Sequence, residues 1–308
     1  MFYIKLPYFK HVFIMKKILL LTFPFLLLSI YLQAQETSPD STWKIHGENT
    51  FLINQSTFSN WAAGGVNALS ANLVLNYDFN YKKNKWSWDN KVIGAYGLTK
   101  QKDLGWRKND DRILLNSLLG YQAAPKWLYT FFLNFNSQFS NGYNYKSDGT
   151  RGDLISGGLS PAYLSFGPGI AFKESDNFRF NLSPAAPRFV FVTNEDLATS
   201  YGIDEGKKSR FEFGASFDAY YRKNIMENIG IENILRLYSN YLEDPKNVDV
   251  DYTLNLFMKV NKFVSVNAGV QMIYDDNTIL TKEKDGQTYD GKGLQVKQIF
   301  GAGFTYKF

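Results

Sequence analysis

The sequence predicts an all-β protein, a transmembrane antiparallel up-and-down β-barrel of about twelve strands with short turns at one end and longer loops at the other. Three observations lead there. About twelve runs of alternating apolar and polar residues follow one another from Trp43 onward. Their connections alternate short and long. The last run, residues 298–308, puts Phe300, Ala302, Phe304, Tyr306 and Phe308 on one face at period two and ends on the aromatic. A soluble sheet has little use for such a face on its terminal strand, whereas a barrel must pair that strand with the first to leave no edge in lipid.

Composition agrees. The 308 residues are 17% aromatic, with 26 Phe and 20 Tyr, as interfacial girdles require, while a mean hydropathy of -0.28 excludes a bundle of apolar helices.

At the start, Lys16 and Lys17 precede an apolar run (18–32) that is too short to span and ends at Gln33-Ala34-Gln35. This is the pattern of a cleaved secretory signal peptide, with Met15 the expected true start and residues 1–14 an extension of it. We therefore divide the chain into an extension and leader (1–34), a short periplasmic segment (35–42) and the barrel (43–308). Losing the leader removes four lysines and no carboxylate, so the formal charge falls from +5 to +1. The remaining Lys and Arg are scattered among carboxylates, which excludes a nucleic-acid surface. No cysteine is present, so disulfides, thiolate metal sites and a lipid-modified cysteine are excluded.

The first run covers 43–54. The second (67–81) sets Leu69, Leu73, Leu75, Tyr77 and Phe79 against Ser70, Asn72, Asn76 and Asp78. The third (86–98) and fourth (112–123) flank a polar stretch, 99–111, expected to be a long loop. The fifth (126–140) sets Tyr129, Phe131 and Phe135 against Thr130, Asn134 and Asn136. Pro161, Pro168, Pro184 and Pro187 interrupt the sixth (156–173) and seventh (178–192); proline cannot donate to a ladder, so bulges or bends are expected there, with ten or fourteen strands as the alternative counts. The eighth alternates cleanly, Phe211, Phe213, Phe217 and Tyr221 outward against Arg210, Glu212, Asp218 and Arg222 inward. The ninth (228–241), tenth (249–260) and eleventh (263–275) repeat the pattern. An even count places both termini in the periplasm, in the outer membrane of a Gram-negative bacterium.

A local cluster stands at the first long connection: Asn54, Gln55, Phe58, Asn60, Trp61, Gly64, Gly65 and Asn67. Arg107-Lys108-Asn109-Asp110-Asp111, Gln138-Phe139 with Gly142-Tyr143, and Leu159-Ser160-Pro161-Ala162-Tyr163 accompany it. Together these motifs resemble an uncharacterised outer-membrane barrel family of Bacteroidota, domain of unknown function 3078. The resemblance implies fold and location and brings no activity with it. Read from the residues alone, Gly64-Gly65 between Asn and Trp makes a tight, aromatic-anchored loop at the barrel mouth.

Neighbouring Asp110 and Asp111 point to opposite faces of a strand, so they cannot act as a carboxylate dyad; ion pairs with Arg107, Lys108 or Arg112 are expected. Asp275-Asp276-Asn277 offers too few oxygens for a calcium loop, and Arg151-Gly152-Asp153 is treated as chance.

The remaining question is the lumen. Arg112, Arg210, Glu212, Asp218, Arg222, Glu232 and Arg236 are expected inward and form the candidate constriction, with Asp89, Lys91, Arg179 and Asp251 beside them. Buried charges of both signs must be hydrated or fully paired. The preferred reading is a passive channel or solute-binding pore; a closed scaffold docking a protein partner is the alternative. A lipid-modifying enzyme ranks below both, because the mature chain keeps one histidine, His46, at the periplasmic end. No cofactor or metal is implied. The expected partners are outer-membrane lipid, lipopolysaccharide and a small solute or protein. The insertion machinery is the last, reading Phe304, Tyr306 and Phe308 as its assembly signal.

Overall fold

A computed structural model describes residues 42–56, 68–101, 104–146, 149–284 and 287–308. The expected leader, and Phe58, Asn60, Trp61, Gly64, Gly65 and Asn67 of the first loop, lie outside the described residues.

In chain order the strands are β1 (Trp43–Ser56), β2 (Ala68–Lys83), β3 (Trp86–Gln101), β4 (Gly105–Ala124), β5 (Trp127–Ser137), β6 (Gly142–Tyr145), β7 (Arg151–Ser156), β8 (Ala162–Ser175) and β9 (Phe178–Phe191). They continue as β10 (Ser209–Met226), β11 (Ile229–Asn240), β12 (Val248–Lys259), β13 (Val264–Tyr274), β14 (Leu280–Lys284), β15 (Gln287–Gly291) and β16 (Gln295–Lys307). Twelve of them close one antiparallel barrel in the circular order β1-β16-β13-β12-β11-β10-β9-β8-β5-β4-β3-β2. The other four form two hairpins, β6–β7 and β14–β15, within the long connections. The seam is the pairing of first and last strands, from Glu48 opposite Lys307 to Ile53 opposite Ala302. It extends past the strand end, where Gly47 and Phe308 exchange two backbone hydrogen bonds of 3.0 Å.

Alternation sorts the side chains as the period-two pattern requires. On β10, Phe211 and Tyr221 face out while Glu212, Ser216 and Tyr220 are buried inside. The outward face is predominantly apolar, with a few polar side chains such as Asn49, Asn90 and Asn233 hydrogen-bonded to outward neighbours. Near the short turns it carries a belt of aromatics in mutual contact, including Trp43 with Tyr81, Trp86 with Tyr121, and Trp127 with Phe172 and Phe180. A second group, Phe166, Phe189, Phe191 and Phe211, lies toward the loops. Two aromatic levels flanking an aliphatic band are the surface a barrel presents to a bilayer. No helix among the described residues is long and apolar enough to cross a membrane.

One local expectation changes and one holds. The stretch 99–111 is not a long loop: β3 runs to Gln101 and β4 restarts at Gly105, so the hairpin extends as a ribbon past a bulge beside Gly97. Its polar residues misled the reading because a ribbon that rises out of lipid needs no apolar face. The prolines do what was expected of them without ending the strands. The β8–β9 ladder is interrupted between Ser165 and Ile170, around Pro168, while β8 keeps unbroken register with β5.

Candidate functional site in the barrel lumen

The lumen is crossed at its waist. Lys91 on β3 and Glu232 on β11 stand on opposite sides of the ring, yet their charged atoms meet at 3.2 Å, with side chains 1% and 0% exposed. Asp78 supplies a second carboxylate to Lys91 at 3.2 Å. Tyr220 and Asn255 donate to Glu232 at 3.1 Å each. Directly alongside, Ile93, Leu114, Tyr220 and Ile234 pack into an apolar cluster contributed by both walls. The strands β3 and β4 thus touch β10 and β11 through their side chains, and the waist is split into two small lobes of about 100 Å³ and 50 Å³. Phe132, Ala186 and Tyr238 fill more of the interior with Leu118 packed against them.

Toward the short-turn end, Arg222 reaches Glu48 at 2.8 Å, and Lys307 of the closing strand reaches the same carboxylate oxygen at 2.8 Å. Three charges from β1, β10 and β16 are thereby tied across the barrel.

Toward the loops the lumen widens into a cavity of about 450 Å³. Its lining carries charges of both signs, among them Arg112, Arg236, Lys297, Asp249, Asp251 and Asp275, together with tyrosines 163, 201, 238 and 274. Arg188 is the hub of one wall: it donates to Glu212 and to Asp249, each at 2.5 Å, and its guanidinium lies 3.9 Å from the centre of the Tyr238 ring. Arg236 pairs with Asp251 at 3.3 Å and Lys297 with Asp110 at 2.8 Å.

The connection after β9 lies over this cavity. Its two short 3-10 turns, Glu195–Leu197 and Thr199–Tyr201, place Leu197, Ala198 and Ile203 against Val190 and Val192, with Tyr163 and Tyr201 packed beside them. Ser200 accepts a hydrogen bond from the Ile279 amide at 3.0 Å, which joins this connection to the one after β13. Across the mouth, the Tyr163 hydroxyl donates to Asp275 at 3.2 Å. Burial, and then the nearby Asp275 charge, push the Tyr201 phenol up to about 12, so it stays a neutral hydroxyl at physiological pH.

The seven residues of the candidate constriction do not meet in one ring. Arg222 sits low with Glu48, Glu232 at the waist with Lys91, and Arg210 and Glu212 pair at 2.6 Å in the Arg188 cluster. Asp218 accepts from Asn134 at 3.0 Å, and Arg236 and Arg112 line the cavity. Asp111 pairs with Lys108 at 2.9 Å and takes the Phe139 and Ser140 amides, whereas Asp110 reaches across to Lys297. Phe304, Tyr306 and Phe308 point outward on the closing strand. Asn54 donates to the Phe300 carbonyl at 3.2 Å, and Gln55 pairs with Leu69 in the β1–β2 ladder.

Glu48, Arg188, Lys297, Tyr201, Tyr238 and Tyr274 were not singled out from sequence, and Asp110, expected to pair with Arg107, Lys108 or Arg112, pairs instead with Lys297. Their alternation marks them as inward, but nothing in a strand's own pattern says which opposite strand it faces. Among the described residues no cluster of His, Cys, Asp and Glu could hold a metal ion, and His46 is exposed near the N-terminal end of β1.

Residues 53–143 match the family described as "Protein of unknown function (DUF3078)". The matched segment runs from within β1 into β6, and so contains Lys91, Asp110 and Arg112. No curated protein matches the chain. Among solved structures, an outer membrane channel from Pseudomonas putida F1 is similar over 90% of this chain and 100% of its own, at 8% identity and a TM-score of 0.38. The NanC porin is similar over 85% of this chain and 99% of its own, at 8% identity and a TM-score of 0.35. The toluene transporter TodX of Pseudomonas putida aligns over 88% and 89%, at 9% identity and a TM-score of 0.28. Likenesses this distant carry no argument about role.

Proposed function

We propose that this chain is an outer-membrane barrel that holds a small polar solute in the loop-side half of its lumen and passes it only when the Lys91–Glu232 bridge parts. The observation that carries the reading is the cavity of about 450 Å³, a size suited to a small molecule and lined by charged and aromatic side chains, with the cross-lumen bridge between it and the short-turn end. An open diffusion pore would be expected to keep a continuous hydrated path, and both lobes beside the bridge are far smaller than the cavity. Passage then requires a rearrangement at the waist, and the charges there set what can cross. The termini are placed on the periplasmic side, with the short turns, by the usual asymmetry of such barrels.

Planar-bilayer conductance of the refolded protein tests this. The wild type should be silent or open only briefly, while Lys91→Ala/Glu232→Ala should conduct steadily. Large, steady current through the wild type would overturn the closed waist. The ion pairs that tie opposite walls of the lumen also favour a second reading, a closed scaffold. A correctly folded barrel that stays silent in both forms, and moves no solute into liposomes, would establish that reading instead. Catalysis is not part of the proposal, because the mature chain's histidine, His46, lies at the end away from the cavity.

A further inference from the structure

The loop-side cavity contains two charged side chains of opposite sign that its other ion pairs leave over. Among the described residues, no carboxylate lies within ion-pair distance of Arg112 and no cation within that distance of Asp275, although every other charge named above in the lining is paired. The Nε of Arg112 is buried without a partner, and so is that of Arg236. Among the described residues, Asp275 accepts from neutral donors, the Tyr163 hydroxyl at 3.2 Å and the Asn277 amide at 2.9 Å. The two residues sit at different depths. Arg112 also lines the lower lobe together with Ile93 and Asp110, so it marks the floor of the cavity. Asp275 follows the loop end of β13 and lies with Tyr201 and Thr278 under the roof. Around the floor Arg112, Arg236 and Lys297 stand with Asp251 and, just below, Asp110; near the roof Asp249 and Asp275 stand with Arg188.

We propose that the cavity is a binding site for a small zwitterion, of the size of a short peptide, with its carboxylate at Arg112 on the floor and its ammonium at Asp275 under the roof. A charge left unpaired inside a barrel is costly, and one ligand carrying both opposite charges would complete both residues at once. A guanidinium is suited to a carboxylate because its fixed fork of donors can engage both oxygens. The ring of tyrosines offers apolar surface and hydroxyls to the body of the ligand between the two ends. This assignment rests on the solute-binding reading of the lumen and names the solute's class.

Titration calorimetry on the refolded mature protein in detergent tests it, with dialanine and trialanine as probes beside N-acetyl-dialanine, which lacks the cation, and dialanine amide, which lacks the carboxylate. A zwitterion should bind saturably, and each singly charged analogue at least tenfold more weakly. Arg112→Gln should lower zwitterion affinity to that of the amide and leave the amide unchanged. Asp275→Asn should lower it to that of the acetyl compound and leave that unchanged. Heat-modifiable gel mobility checks that each variant is folded; if one is not, the other variant and the wild-type analogue series decide. Absence of zwitterion binding at millimolar concentration, or an acetylated or amidated analogue binding as well as the zwitterion, would overturn the proposal. Binding without passage in liposomes would refute the pore and leave the site standing, and passage without zwitterion preference would do the reverse.

Discussion

Replacing Lys91 by Met should destabilise the barrel sharply, and replacing Glu232 at the same time should restore most of the loss. Lys91 and Glu232 are 1% and 0% exposed and meet at 3.2 Å. Removing one member of a buried pair leaves the other charge uncompensated, which costs about 3–5 kcal/mol. Here Glu232 keeps hydrogen bonds from Tyr220 and Asn255, so Lys91→Met should fall near the lower end, about 3 kcal/mol. Glu232→Gln should cost less, because Lys91 retains Asp78 at 3.2 Å. Lys91→Met/Glu232→Gln leaves only Asp78, which is 20% exposed, without its cation, and similar replacements of buried pairs are close to neutral, so the double variant should lose less than about 1.5 kcal/mol. The coupling energy is then about 2 kcal/mol or more in favour of the pair. Urea unfolding of the refolded proteins, followed by the fluorescence of the six tryptophans and by gel mobility, measures all four corners of the cycle. A coupling below about 0.5 kcal/mol would mean that the two charges do not share a site, and the closed waist would fall with it.

Deleting Phe308 removes both backbone hydrogen bonds to Gly47 and the ring contact with Tyr77 at 5.8 Å; membrane-inserted protein should drop severalfold in a fractionation assay, and normal levels would refute a part for this residue in closing the seam. Gly303→Ala should be equally damaging, because a Cβ there would run into the Phe51 carbonyl oxygen of the paired strand, and a refolding yield equal to wild type would count against the seam geometry. Asp111→Ala strips the hydrogen bonds that hold Lys108 and the Phe139 and Ser140 amides, with an expected loss of about 2–4 kcal/mol and faster proteolysis of the segment after β5. His46→Ala should change stability by less than about 0.5 kcal/mol, since the side chain is exposed.

The lipid-facing pattern was legible because it is local. A residue such as Phe304 has to be apolar whatever stands across the barrel from it, and alternation with Thr305 and Gly303 records that in the chain itself. The ribbon of β3 and β4 beyond the apolar band was misread for the matching reason: where the outer face meets water, alternation is no longer enforced, and a strand containing Trp106, Arg107, Lys108 and Asn109 has the composition of a loop. The prolines of β8 and β9 were read correctly as irregularities: the β8–β9 ladder is interrupted around Pro168, and the β9–β10 ladder shifts register beside Pro184. Which ladder each one disturbs depends on the edge it turns to its neighbour.

By itself the sequence determined an up-and-down barrel of about twelve strands, its inward and outward faces, and the aromatic closing strand, since each follows from period two and from the solvent on the outer side; the closed ring fixed the count at twelve. Only the closed ring decided that Lys91 would meet Glu232, that Lys297 would meet Asp110, and that Arg112 and Asp275 would be left over in one cavity. Those partners lie on strands several places apart around the barrel, so their proximity is set by ring size and stagger, quantities that belong to all twelve strands together and are written in none of them.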